Sequence, residues 1–148
     1  MIHIRRATGK DVEPIVAMLA DDHLGRHRET LDDLESYHQA FEAIDADPNQ
    51  FLAIAEDDGE IVGTLQLTFI PGLSRQGATR ALVEGVRVRA DRRGGGLGAQ
   101  LMRWAVDEAR ERGCALIQLT TDVSRVDAHR FYHRLGFEQS HLGFKLLL

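Results

Sequence analysis

Four glycines fall within five positions, Gly94, Gly95, Gly96 and Gly98, between an apolar run that ends at Val88 and a helical pattern that begins at Leu97. Glycine loses more backbone entropy on folding than any other residue and brings no side chain to a core. Such a cluster suits close approach of the backbone to a ligand. Placed where a helix begins, its N–H groups join the positive end of the helix dipole and form an anion site. Arg92 and Arg93 stand at the entrance, and Arg93 can offer a bidentate fork to phosphate oxygens. The stretch from Ala81 to Trp104 reads as strand, basic turn, diphosphate cradle and helix.

Three loop types cradle phosphates in this way. A P-loop requires Lys and Ser/Thr after its last glycine, whereas Gly98 is followed by Ala99 and Gln100. The dinucleotide fingerprint is formally present as Gly94, Gly96 and Ala99. It should follow its strand at once and precede a ribose-binding acid by about 20 positions. Here five residues separate Val88 from Gly94, and Asp122 lies further on. The third pattern, R-x-x-G-x-G, is met by Arg93-Gly-Gly-Gly96-Leu-Gly98. It comes with the strand Val83-Glu84-Gly-Val-Arg-Val88, the segment Ala128-His-Arg-Phe-Tyr132-His-Arg-Leu-Gly-Phe137 and the opening Ile4-Arg-Arg-Ala-Thr8. In that order these resemble the acyl-CoA motif, central strand, C-terminal signature and first strand of the GNAT acyltransferases.

The resemblance implies one α/β domain over residues 1–148. It implies a twisted mixed sheet of about seven strands, helices on both faces and a splayed central strand. It implies acetyl-CoA as co-substrate, no metal, and an N-acetyltransferase in which a primary amine attacks the thioester directly within a ternary complex. The pyrophosphate would be held by Arg93, Gly94, Gly95, Gly96, Leu97, Gly98 and Ala99. The pantetheine arm would run along Val86, Arg87 and Val88, with Val86 N–H facing the thioester oxygen where charge develops. Gly85 is where a bulge belongs. Glu84 would take the proton of the acceptor ammonium, or else pair with Arg80, Arg87 or Arg89. Tyr132 would protonate the departing thiolate. Arg125 stands where the family commonly has Asn, and would meet a CoA phosphate instead. A non-catalytic acyl-CoA-binding module on the same fold is the alternative from another class.

Composition narrows the partners. A net charge of −5 argues against nucleic acid, which needs a basic face. No apolar stretch approaches the roughly 18 residues of a membrane span, and the lone Cys114 favours a reducing, cytoplasmic compartment. His129 and His133 share a helix face at i,i+4, but no third ligand stands at a motif distance, so an exposed face is expected. The resemblance, not the composition, implies a small-molecule or peptide amine as acceptor. The aliphatic Leu146-Leu-Leu148 fits a homodimer contact and a core edge strand equally well.

Local patterns supply the remaining elements. Residues 1–7 read as a strand, and Thr8 to Asp11 as a capping box before a helix through Leu19. Thr30 is expected to cap a second helix bearing an apolar stripe at Leu31, Leu34, Tyr37 or His38, Phe41 and Ile44. Its acids read as a solvated face or an acceptor-steering patch. Asp57-Asp58-Gly59-Glu60 joins two strands. Residues 21–29 and 71–79 read as loops bordering the acceptor. A helix from Leu97 to about Arg112, a buried strand from Ala115 to Thr121, a short helix over 127–135 and a final strand within 137–148 complete the expectation.

Overall fold

The computed structural model describes residues 1–148 and separates into two compact units, Met1–Gln118 and Leu119–Leu148. In the first unit, β1 (Ile2–Arg6) pairs antiparallel with β2 (Gln50–Asp57), which turns through Asp58 and Gly59 into β3 (Glu60–Pro71). Both turn residues are left-handed, at φ 50° and 80°. Such a turn matches the right-handed twist of the flanking strands. β3 pairs antiparallel with β4 (Thr79–Val88), and β5 (Leu116–Leu119) completes a sheet of order β1-β2-β3-β4-β5. The Ala115 N–H donates to Thr79 O at 2.9 Å, setting the starts of β4 and β5 side by side as in a parallel pair. The sheet is therefore mixed.

Strand alternation divides the apolar residues between two faces. On one face Leu52 and Ile54 pack with Ile15, Leu19 and Phe41, which belong to α1 (Val12–Ala20) and α2 (Glu35–Ala46). On the other, α4 (Leu97–Glu111) covers the sheet. Phe51 meets Trp104 edge-on at 5.0 Å, and a methyl group on Gly63 would lie 2.9 Å from Leu101. Leu101, Met102, Leu65 and Leu67 are fully buried here.

The entry to α1 is fixed by charge as well as packing. Asp11 is 4% exposed and accepts the Thr8 N–H at 2.7 Å, while the Arg5 guanidinium donates to it at 2.7 Å. Burial alone would raise its pKa, but Arg5 and Thr8 outweigh that and hold the carboxyl below the ordinary range. Arg5 is partly exposed and keeps a second bond to Glu56. Asp11→Ala is therefore expected to cost about 2 kcal/mol, short of the value for a fully buried pair. A depressed folded-state pKa stabilises above the unfolded value of about 3.9 and ceases to do so as pH falls through the folded value. The gap between wild type and variant in chemical denaturation should thus close below about pH 4.

Several expectations need correction. The sheet has five strands rather than about seven, because residues 137–148 form no ladder. Their apolar residues Leu142, Phe144, Leu146, Leu147 and Leu148 are exposed. The second helix begins at Glu35, not after Thr30. Thr30 Oγ1 accepts the Asp32 N–H and Asp33 Oδ1 the Glu35 N–H, and such short side chains hold the backbone in local turns. The helix has no fully buried residue, and its expected stripe residue Leu31 lies outside it, 48% exposed. Residues 71–79 contain one helical turn, α3 (Ser74–Gly77), with left-handed Arg75 and Gln76. Cys114, whose place between a helix stop and an apolar strand marks it in the sequence as a small buried residue, is only half-buried, and burial pushes its thiol up.

The second unit holds α5 (Val126–Arg134), ended by Gly136 at φ 95°. Phe137 N–H donates to Tyr132 O at 3.1 Å and Gly136 N–H to His133 O at 3.0 Å. These bonds satisfy the last carbonyls of the helix. No helix is long and apolar enough to cross a membrane.

Candidate active site

The register between β3 and β4 breaks at one point. Thr64 faces Arg87 and Gln66 faces Glu84, so Leu65 alone stands opposite both Gly85 and Val86. This is a β-bulge, and Gly85 adopts φ 63°, which only glycine takes without strain. The bulge lies where the sequence places it. Leu19 of α1 packs behind: a methyl group on Gly85 would lie 3.7 Å from its Cδ2.

Burial along β4 changes at the same point. Ala81 and Val83 are buried, whereas Glu84 and Gly85 are exposed, unusual for a strand flanked by two others. Glu84 is thus more open than a half-buried strand carboxylate. It is paired with none of its neighbouring arginines: Arg87 takes Asp22 at 3.0 Å, and Arg89 takes Glu60 at 3.0 Å and Asp91 at 2.6 Å. No ion pair joins Arg80 to Glu84. Beyond the bulge, Arg89 N–H donates to Val62 O at 2.8 Å. Donors on a strand alternate in direction, so the N–H groups of Val88 and, two residues back, Val86 are aimed away from β3.

The strand delivers the chain into the glycine cluster. Gly94 and Gly96 are left-handed at φ 82° and 84°, and Gly96 is the N-cap of α4. The first bond of the helix runs from Gln100 N–H to Gly96 O at 3.1 Å. The N–H groups of Leu97, Gly98 and Ala99 thus have no partner within the helix, as at any helix start. A side chain on Gly94 or Gly96 would meet open space, so the requirement for glycine is conformational rather than steric. Arg93 spans the entrance: its Nε donates to Val88 O and its Nη2 to Asp21 O, both at 3.2 Å. Arg92 turns away to Asp57 at 2.8 Å.

The loop after α1 is clamped onto this strand. Asp22 Oδ1 accepts the N–H groups of Leu24 and Gly25, and its other oxygen pairs with Arg87 in a largely buried ion pair. A methyl on Gly25 would lie 1.8 Å from Leu19 O. Sequence reading missed this node. Asp22 and Arg87 are 65 positions apart, and Gly25 in a polar run signals only a loop.

Arg125 and Tyr132 belong to the second unit. Arg125 precedes α5 and is half-buried. The Tyr132 ring stands edge-on to Phe131 at 5.1 Å and to Phe137 at 5.8 Å. These contacts fix a half-buried ring from two sides. His129 Nε2 lies 3.0 Å from Asp122 O.

Comparison with known proteins agrees with this geometry. The model of the acetyltransferase (GNAT) family matches residues 14–137, a span that runs across both units. An aminoalkylphosphonate N-acetyltransferase of Salmonella typhimurium is 35% identical over 141 residues, covering 95% of this chain and 88% of that protein. A streptothricin acetyltransferase of Streptomyces lavendulae is 33% identical over 96 residues, 65% of this chain and 48% of its own. The crystal structure of a protein described as a transcriptional regulator from Bacillus halodurans C-125 superposes with a TM-score of 0.96 at 51% identity, covering all of both chains. With β4 bulged and leading to a left-handed glycine cap, and matched in this way along nearly its whole length, the chain belongs to the GNAT family of acetyltransferases.

Proposed function

We propose that this protein transfers the acetyl group of acetyl-CoA to a primary amine by direct attack in a ternary complex, within one domain spanning residues 1–148 and with no metal. The observation that carries the reading is β4, bulged at Gly85, exposed at Glu84 and Gly85, and leading through a short basic turn into the αL cap of α4. These residues fit a diphosphate ligand. Unpartnered N–H groups at a helix start and a guanidinium at the entrance are the donors that its oxygens need. Arg93, Gly94, Gly95, Gly96, Leu97, Gly98 and Ala99 would hold that end, Val86, Arg87 and Val88 the arm, and Arg125 a further phosphate. The Arg87 side chain is engaged with Asp22, so its contribution would come from the backbone.

The thioester supplies an acyl carbon with a thiolate leaving group. Glu84 accepts the ammonium proton, directly or through water, freeing the lone pair that forms the C–N bond. Val86 N–H donates to the carbonyl oxygen as charge builds there. The Tyr132 hydroxyl donates to the sulfur as the C–S bond breaks. An exposed carboxylate outside any ion pair is open to an incoming ammonium, which favours the base role over a structural one. The second reading is a non-catalytic acyl-CoA-binding module, and what speaks for it is the 51% identity to the Bacillus halodurans protein described as a transcriptional regulator. The acceptor class is an amine, in keeping with the Salmonella relative, whose named substrate joins an amine to an anionic phosphonate.

Thiol release from acetyl-CoA in the presence of an amine panel tests the reading. Turnover with at least one amine is expected. Tyr132→Phe should lower kcat roughly 100-fold, the scale of one general acid, with acetyl-CoA affinity nearly unchanged by calorimetry. An unchanged kcat removes Tyr132 from the chemistry. Acetyl-CoA binding without amine-dependent release from any member of the panel removes the transferase reading.

A further inference from the structure

The loop between α1 and α2 holds its charges in two different conditions. Two of its acids are met by cations: Asp21 lies 3.6 Å from the Arg93 guanidinium and Asp22 pairs with Arg87 at 3.0 Å; of the others, Glu29 accepts the Tyr37 hydroxyl at 3.1 Å, Asp33 the Glu35 N–H at 3.0 Å, and Asp32 is exposed. Its bases meet no acid. Arg26, His27 and Arg28 stand in sequence, all exposed, and their side chains make no ion pair or hydrogen bond. With Asp21 and Asp22 met elsewhere, Arg26 and Arg28 stand as two guanidinium groups without an acidic partner on a chain whose net charge is −5.

The turn is also held in place. Arg26 N–H donates to Asp22 O at 3.0 Å and Arg28 N–H to Gly25 O at 2.9 Å, so it is wound directly on the residue that clamps the loop to β4. Gly25 is buried within it and admits no side chain, because Leu19 O stands 1.8 Å from where a Cβ would lie. Leu19, six residues before, packs behind the bulge, and Arg87 lies two residues beyond it. Two guanidinium groups are thereby carried on a braced turn beside the strand on which the amine would react. Cations held on such a turn lose less freedom on binding an anion than cations on a mobile loop.

We propose that the Arg26–Arg28 turn binds the anionic end of the acceptor, so that the acceptor class is a primary amine bearing an oxyacid group. This rests on the amine-acetylation reading and adds the part of the acceptor remote from its nitrogen. A guanidinium fork matches phosphonate, phosphate and carboxylate oxygens alike. His27 adds charge when protonated.

The test compares three amines of similar length, 2-aminoethylphosphonate, β-alanine and propylamine, by thiol release and by calorimetric binding to the complex with CoA. The expected result is a preference in kcat/KM for one or both anionic amines over propylamine. The phosphonate and carboxylate arms identify which oxyacid is favoured. In Arg26→Ala/Arg28→Ala that preference should fall about 10- to 100-fold, the range for one or two charge-assisted hydrogen bonds. The rise should appear in KM rather than kcat, and Arg26→Lys/Arg28→Lys should recover part of it. An undiminished preference in the double alanine variant overturns the proposal and leaves amine acetylation standing. If no amine is acetylated, calorimetry still decides: phosphonate or β-alanine binding lost in the double variant supports the turn as an anion site, and absent or unaltered binding overturns it.

Discussion

Gly96→Val is expected to weaken acetyl-CoA binding more than about 100-fold while the protein remains folded. Gly96 sits at φ 84° as the N-cap of α4, with no heavy atom within 4 Å of where a Cβ would stand. Valine therefore meets no neighbour, and its penalty is the backbone conformation, about 1–2 kcal/mol. The chain can relieve this only by rotating the peptide units that open the helix, and those units carry the N–H groups proposed to face the diphosphate. Losing two hydrogen bonds to a charged ligand, at about 1.5–3 kcal/mol each, accounts for a factor of 100 or more. Thermal unfolding should shift by less than about 8 °C, given 2–4 °C per kcal/mol for a chain of this size. Calorimetry with acetyl-CoA reads the first effect and a melting curve the second. Undiminished affinity in a folded variant would show that the cradle does not hold the ligand.

The left-handed φ of Gly96 is not in the sequence reading, which gives the cluster a close backbone approach, but the bulge at Gly85 is legible there because glycine inside a strand has few other uses. The same holds for the Thr8–Asp11 capping box, the Asp58-Gly59 hairpin and the span of α4, whose i,i+4 pair Glu108–Arg112 closes to 3.8 Å while the Arg112 guanidinium lies over the Phe69 ring. Each is set by residues within a few positions of one another. The dinucleotide alternative could be demoted but not dismissed from sequence. What disposes of it is that β4 runs antiparallel to β3, whereas the dinucleotide fold is built on parallel strands.

The failures have a common physical origin. Thr30 was read as a cap because its side chain can bond a following N–H, and it does so, but to Asp32 in a turn rather than to a helix. Helix and turn offer that oxygen the same bond, and only tertiary packing decides between them. The sequence reading expects a final strand or hairpin arm within residues 137–148, yet a strand exists only with a partner, and these residues have none in the sheet. Glu84 illustrates the same limit for the site. Three arginines close in sequence made pairing plausible, but strand alternation and the bulge send Arg87 and Arg89 to acids elsewhere.

The least legible feature, the Asp22–Arg87 pair, supports the other large prediction. Asp22→Ala is expected to destabilise the protein by about 3–5 kcal/mol, lowering the melting temperature by roughly 10 °C. The two side chains are only 17% and 12% exposed, so removing the carboxylate leaves a guanidinium in a poorly solvated position. It also frees the N–H groups of Leu24 and Gly25 that Asp22 Oδ1 accepts. Arg87→Met alone should cost a similar amount by stranding the acid. Asp22→Ala combined with Arg87→Met should cost clearly less than the sum, because a buried ion pair is harmful chiefly when half of it is missing. Additive losses in that cycle would mean that the loop is not held through the pair. The cycle also bears on acceptor recognition: a loop released from β4 carries Arg26 and Arg28 with it, so Asp22→Ala should blunt the preference for anionic amines without touching either arginine.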